Sequence, residues 1–318
     1  MVRFILGRVL AAVPVLLGVT IAVFFVMKLM PGDAILARLG TEATPELIAA
    51  FRDLYGLDRP LPQQLWEWLG RVARLDFGVS MVSRRPVLES IMQRLPATLE
   101  LTLAATLLAL LIGVPLGVAA AWWKGRAADL VARLFAMIGQ SVPTFWLALL
   151  LILLFALQLR WLPATGYVSL LDDPLRHLRH VALPAVTLGT GMAAVVARYV
   201  RASLLDVLRR DYVRTARGKG LAERSVLWRH ALRNALIPVT TVVGIQIGTL
   251  IGGTVIIEDI FGWPGMGRFA LQAIYERDYP VIQTIVIVIA AFYVSINLVV
   301  DIAYTVLDPK IRSEGQRD

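Results

Sequence analysis

Five stretches of this chain carry no charged side chain over about the length that a bilayer demands: Val9–Met27, Leu101–Trp123, Leu134–Leu159, Ala235–Ile257 and Val281–Val300. A hydrocarbon core about 30 Å thick is crossed by about 20 apolar residues at roughly 1.5 Å per residue. With no water to satisfy the backbone there, each run must close its own hydrogen bonds as a helix. A sixth run, Val181–Ala197, is shorter; it extends through Arg198 and Arg201, whose long side chains can snorkel to the interface. The runs predict an all-α, polytopic membrane protein with six transmembrane helices. Only 17% of the 318 residues are charged and mean hydropathy is +0.69, whereas a soluble domain is roughly a quarter charged.

Arg3 and Arg8 precede the first run, as in a signal peptide. A signal core spans about 7–15 residues; this run is longer and ends without a small-residue cleavage site, so it reads as the first membrane helix. Six helices place both termini on one side. That side, made of residues 1–8, 124–133, 198–234 and 307–318, holds 18 Lys and Arg, against five in the short opposite segments 158–180 and 258–280. The excess predicts cytoplasmic N and C termini. The nine in the long segment 28–96 carry little weight, because long loops follow the charge rule poorly. The net charge of +9 is thereby explained without nucleic acid. Trp122, Trp123, Trp161 and Trp263 stand near helix ends, at interfacial depths, and Trp146 lies inside the third run as a packing residue. Cysteine is absent, which excludes disulfides and thiolate metal sites.

Residues 31–96 form a long outer segment. Pro31-Gly32-Asp33 breaks the chain, and Pro45–Tyr55 and Leu61–Leu75 show apolar residues at helical spacing (Ile48, Phe51, Leu54, Tyr55; Leu65, Trp66, Leu69, Val72). Two readings stay open: a cap on the outer membrane face, or a docking surface for an extracytoplasmic partner. Residues 204–236 carry eight Lys and Arg against Asp206, Asp211 and Glu223. Helical patterns flank Gly218 and Gly220, which predicts a cytoplasmic helix–turn–helix. Pro238 follows, placed just inside the fifth helix where a missing N–H matters little. A plain positive anchor needs only the charge, whereas the small residues and glycines suit a short helix that seats in a groove of another protein.

The run Asp211-Tyr212-Val213-Arg214-Thr215-Ala216-Arg217-Gly218-Lys219-Gly220-Leu221, with Arg229-His230-Ala231-Leu232-Arg233-Asn234-Ala235-Leu236-Ile237-Pro238 behind it, resembles the EAA loop of binding-protein-dependent ABC importers. Arg214 stands where the general motif has glutamate, as in the dipeptide/oligopeptide branch. Met30-Pro31-Gly32-Asp33, Gly56-Leu57-Asp58-Arg59-Pro60-Leu61, Arg94-Leu95-Pro96-Ala97-Thr98-Leu99-Glu100, Trp263-Pro264-Gly265-Met266-Gly267, Arg277-Asp278-Tyr279-Pro280 and Leu307-Asp308-Pro309-Lys310-Ile311-Arg312 are similar to the first permease subunit of that branch. Phe77–Val87 looks most like its glutathione or dipeptide members; nickel permeases belong to the same branch and remain the alternative.

The resemblance implies a type I ABC importer permease fold and a heteromeric complex in the lipid bilayer of a bacterial or archaeal inner membrane. Its partners would be a second homologous permease subunit, two ATP-binding subunits and an extracytoplasmic solute-binding protein. ATP and Mg would sit on the ATPase partners and no cofactor on this chain. In that family the loop carries a helix that inserts into the ATPase, so Arg214, Thr215, Ala216, Gly218, Gly220, Leu221 and Pro238 become the coupling candidates. The corresponding organisation is a first membrane helix (1–30), an extracytoplasmic segment (31–96), a five-helix core (97–308) containing the coupling loop 204–236, and a cytoplasmic tail (309–318).

Catalysis by this chain is not expected. Gly218-Lys219-Gly220 lacks the spacing and the hydroxyl residue of a phosphate loop, and there is no nucleophile elbow or HExxH pattern. A membrane enzyme would need acid, base or metal groups converging at one depth, and a self-contained carrier often shows repeats; the sequence displays neither. His177 and His180 lie one turn apart, but without Cys or an acid cluster they read as packing rather than a metal site. Glu100 is placed near a helix N-terminus after Pro96, and Asp301 near the inner end of the sixth helix, where it can pair with a cytoplasmic Arg; both read as structural. Ser141 and Pro143 interrupt the third helix, and Gln246, Thr249, Gly252, Gly253 and Thr254 line up along the fifth. These either line a translocation path or pack helices closely. Glu258 and Asp259 near the outer mouth would attract a peptide amino group or sit at a wet interface.

Overall fold

The computed structural model describes residues 2–29, 44–47, 49 and 58–307, with the backbone alone at 2–5, 301 and 303–307. Among these the structure is helical, with one isolated antiparallel bridge, Val79 to Pro86. The helices are α1 (Val2–Leu29), α2 (Leu61–Ala73), α3 (Val87–Trp122), α4 (Ala127–Ser141), α5 (Thr144–Gln158), α6 (Pro174–Val207), α7 (Asp211–Gly218), α8 (Glu223–Gly253), α9 (Val255–Ile260), α10 (Met266–Tyr275) and α11 (Tyr279–Leu307). Five of them (α1, α3, α6, α8 and α11) are long and apolar enough to cross a membrane. Counting the bent pair α4–α5 as one crossing gives six. The Leu61–Leu75 expectation is met by α2. The expected helix at Pro45–Tyr55, the Pro31-Gly32-Asp33 break and the 309–318 tail lie largely or wholly outside the described residues.

The third apolar run is not the single helix its length suggested. Its halves meet at 102°. Pro143 has no N–H to continue the ladder, and the residue before a proline is driven out of the helical region; Val142 is accordingly extended (φ −76°, ψ 123°). Gln140 Nε2 and Ser141 Oγ fold back onto the carbonyls of Ala136 and Met137, each at 2.8 Å, the i−4 back-bond that polar side chains make within a helix. Hydropathy sees composition and is blind to this corner.

The chain forms two compact units. One comprises Thr98–Trp263 with Ser295–Leu307. Its centre is α6, whose apolar window is 67% buried, against 11% for α1. Small residues let α3 press onto α6. A methyl added at Gly113 would lie 2.7 Å from Ala193 O, one at Gly117 2.6 Å from both Ala197 O and Val200 Cβ, and one at Gly189 2.9 Å from Ala105 O. Ala109, Ala193, Val196 and Val200 fill the seam with no exposed surface. In lipid, helices gain nothing from leaving water, so such backbone-close packing supplies the association. On the adjoining face of α6, Arg201 grips Asp129 with two hydrogen bonds of 2.7 and 3.1 Å, and Gly125 N donates to the same carboxylate at 3.0 Å. Arg201 therefore does not snorkel; it finds a buried acid on α4.

The second unit comprises Val2–Ala97 and Pro264–Val294. Phe24, Trp68, Phe77, Val87, Ile91, Met266, Val281 and Ile285 form its core. Lys28 Nζ donates to Gln64 Oε1 at 2.5 Å, tying α1 to α2. The Phe77–Val87 segment is held by Asp278, a buried carboxylate that accepts from Ser80 Oγ (2.5 Å), Met81 N (3.1 Å) and Val82 N (3.4 Å). Two motifs far apart in sequence thus close one loop. Arg94 stacks on the Phe269 ring at 4.0 Å.

Overpacking the seam should be expensive, while an open glycine should tolerate a methyl. Gly117→Leu is expected to destabilise the detergent-solubilised chain by at least about 2 kcal/mol, and Gly252→Ala, where nothing lies within 4 Å, by less than about 0.5 kcal/mol. Thermal unfolding of the two variants reads this directly. Asp129→Ala, which strands Arg201 beside an empty site, is expected to destabilise by about 3 kcal/mol, the low end for a broken buried pair because Arg201 keeps a quarter of its side chain exposed.

Candidate functional site

The expected helix–turn–helix is present. Helix α7 puts Val213 (0% exposed) and Ala216 (7%) against Val226 at the start of α8, beside Val207 and Leu208. Its other face, with Tyr212, Arg214, Thr215 and Gly218, is open. The turn is a Schellman closure: Gly220 N donates to Arg217 O at 2.9 Å and Leu221 N to Ala216 O at 3.4 Å, with Gly220 at φ +77°. Only glycine adopts that backbone without penalty. The closure also explains why Ala216 belongs beneath the hairpin and Leu221 beyond it.

Three polar links brace the hairpin. Arg217 pairs with Glu223 through two bonds of 2.9 and 3.3 Å across the turn. Asn234 Nδ2 donates to Tyr212 OH at 3.0 Å, and Ser203 Oγ to Ala235 O at 2.8 Å. Thr215 Oγ1 returns to Asp211 O at 3.0 Å, and Arg214 reaches Asp211 only at 3.7 Å with three-quarters of its side chain exposed. The structure therefore gathers Arg214, Thr215, Gly218, Gly220 and Leu221 on an exposed protrusion with Ala216 as its floor. Lys219 and Arg224 add exposed positive charge.

Pro238 lies elsewhere. Helix α8 starts at Glu223, so Pro238 sits well inside it rather than at the first turn. A π-helical turn at Val226–Ala231 precedes it, and such turns commonly absorb a misfit in the hydrogen-bond ladder. The apolar pattern marked where the membrane begins, not where the helix begins.

Beyond Pro238, α8 presents Thr241, Ile245, Thr249 and Gly252 on one exposed face, with Gly253 beside them and Gln246 partly buried. Gly252 and Gly253 meet no atom of this chain within 4 Å, whereas Gly244 meets Val300 of α11. Ser141 is exposed at the α4–α5 corner. Thr254 and Glu258 are fully buried, which corrects the expectation that Glu258 faces a mouth or wet interface. Thr98 Oγ1 donates to Glu258 Oε1 at 2.8 Å, inside the protein.

Neighbouring polar residues are structural in the same way. Glu100 lies several turns inside α3, because Pro96 does not start that helix; Tyr167 OH donates to it at 3.0 Å instead of a helix dipole. Burial, together with that carboxylate, pushes the Tyr167 phenol up to about 12. Trp263 is buried rather than interfacial, its ring 4.8 Å from Tyr167 and 5.9 Å from His177. His177 Nδ1 donates to Val168 O at 2.8 Å and His180 Nδ1 to Arg176 O at 2.8 Å. Trp146, expected to pack, is half exposed, as is Trp123, and Trp161 is more exposed still. The side chain of Asp301 lies outside the described residues. Sequence reasoning missed Asp129 and the Gly113–Gly117 pair, and it named Asp278 only within a motif, without its contact to the 77–87 segment; a small-xxx-small spacing inside an apolar run was the signal available for the glycines.

Comparison with known proteins places this geometry. Residues 113–313 match the family described as binding-protein-dependent transport system inner membrane component, and residues 1–102 its N-terminal counterpart. A glutathione transport system permease protein of Salmonella choleraesuis (strain SC-B67) is 44% identical over 312 residues, covering 98% of this chain and 99% of the relative. A putative peptide transport system permease protein of Brucella abortus (strain 2308) matches at 44% over the same span. The fold is similar to a chain of the inward-facing MetNI methionine ABC transporter (TM-score 0.57, 18% identity, 70% of this chain and 99% of that one). It is also similar to a chain of an amino acid ABC transporter crystallised with histidines (TM-score 0.52, 16% identity, 68% and 94%). The chain is a multi-pass membrane component, not an enzyme by itself, and it belongs to the family of inner-membrane permeases of binding-protein-dependent ABC transport systems.

Proposed function

We propose that this chain is one of two permease subunits of a bacterial inner-membrane importer for small peptides, glutathione among them. The observation that carries the coupling role is the braced hairpin α7–Glu223, a rigid protrusion whose exposed face is free to seat in a partner. Near-full-length identity to permeases named for glutathione and peptide transport supports the substrate class. The Lys and Arg asymmetry supports cytoplasmic termini and a cytoplasmic hairpin. The remaining partners are a second permease, two ATP-binding subunits that carry ATP and Mg, and an extracytoplasmic solute-binding protein. Thr241, Thr249 and Gly252, with Gln246 and Ser141, line the solute path, and Thr254 and Glu258 support it from within.

In this reading, ATP closes the ATPase pair, the hairpin moves with its ATPase, and α8 carries the displacement toward the path because hairpin and path share that one helix. The test is ATP hydrolysis and uptake in proteoliposomes holding the assembled complex, with the binding protein empty or loaded with glutathione, a dipeptide or nickel. Stimulation by the glutathione- or dipeptide-loaded form is expected; stimulation by nickel alone would contradict the substrate class. Gly220→Val forces a β-branched residue to φ +77°, at about 1–2 kcal/mol. It is expected to leave the chain folded and inserted while lowering coupled uptake about tenfold. Normal uptake by that variant would contradict the coupling role.

A further inference from the structure

A groove of about 360 Å³ opens between α4 and α6, lined by Arg133, Met137, Gln140, Arg198 and Arg201 over a base of alanines. Its floor is alanine, so it is narrow and smooth, and its rim carries three guanidiniums. One negative charge faces them. Asp129 is committed to Arg201 at 2.7 Å and reaches Arg133 only at 3.4 Å. Arg198 has no carboxylate partner among the described residues and leans on the Tyr199 ring at 5.5 Å. The groove therefore holds about two uncompensated positive charges. Gln140 turns its amide onto Ala136 O and leaves its carbonyl oxygen as the remaining polar group on the rim.

Beside the groove, α4 exposes Leu130, Leu134 and Ile138 as an apolar strip, with Met137 shared between strip and groove. Cations beside an apolar strip on one membrane helix match one amphipathic anion. A soluble anion would find charge but no use for the strip. An acidic protein segment would leave the strip in contact with its own polar backbone. A phosphodiester with acyl chains satisfies both. We propose that this groove binds an anionic phospholipid, its phosphate between Arg133 and Arg198 and an acyl chain along Leu130, Leu134 and Ile138. Arg201 shapes the floor through Asp129 and is not a lipid ligand.

The test is native mass spectrometry of the full-length chain in detergent, titrated with phosphatidylglycerol or phosphatidylcholine. Each interfacial Arg contributes about 1 kcal/mol toward an anionic lipid, so the first phosphatidylglycerol should bind about thirtyfold more tightly than phosphatidylcholine. The double substitution Arg133→Gln with Arg198→Gln should abolish that preference. Arg71→Gln, on α2, should keep it, and Arg198→Lys should keep most of it. Thermal unfolding checks that each variant is folded; the Asp129–Arg201 pair is intact in all of them. Equal affinity for the two lipids, or an undiminished preference in the double variant, would overturn the proposal. Displacement of the lipid by glycerol phosphate at similar concentration would reduce the groove to a simple phosphate site and overturn the lipid assignment. Loss of the lipid on assembly with the second permease would assign the groove to that subunit.

Discussion

The approach of α3 to α6 sets the distances on which the rest of the first unit depends. Gly113, Gly117 and Gly189 remove the side chains that would hold the two backbones apart, and the alanines and valines between them leave no exposed surface. Dispersion between closely packed atoms is the attraction available here, since lipid offers no hydrophobic reward for burying one helix against another. With α6 fixed, α4, α5 and α8 take positions around it, and Asp129 locks α4 to it by charge. The end of α6 then delivers the chain into α7.

Rigidity at the hairpin follows from three features of different kind. An apolar underside, Val213, Ala216 and Val226, resists rotation of α7. A glycine-closed turn fixes the return of the chain. The Arg217–Glu223 and Asn234–Tyr212 links brace the exposed side; both are solvent-facing, so each contributes well under about 1 kcal/mol. In the proposed coupling role, a hairpin braced in this way would transmit a push from its partner. Helix α8 is 31 residues long, about 46 Å at the helical rise, which carries it from the hairpin past the exposed Thr241, Thr249 and Gly252.

Helix identity was legible because apolar run length is a direct consequence of bilayer thickness. The helix–turn–helix was legible because Gly220 sits where a left-handed residue must close the turn. What escaped was set by contacts between segments remote in sequence. Glu258 looked like a mouth residue because it follows an apolar run, yet Thr98 draws it inside. Trp263 looked interfacial for the same reason, yet Tyr167 and His177 enclose it. Pro238 and Glu100 were misplaced because helices run past the ends of the apolar segments, where charge, not hydropathy, changes. The corner at Pro143 was announced by the proline, but its 102° angle is set by how α4 and α5 each pack on α6, a contact between segments remote in sequence.

The most direct measurement is disulfide cross-linking in the assembled transporter between single cysteines on the hairpin and on the partner ATPase. The chain has no native cysteine, so each introduced thiol reports alone. Thr215→Cys and Leu221→Cys, on the exposed side, should cross-link to the ATPase with an efficiency that changes when ATP is added, while Leu171→Cys, exposed in the segment between α5 and α6, should not cross-link at all. Cross-linking from Leu171→Cys with none from the hairpin would place the ATPase on the other side of the membrane and contradict the coupling role.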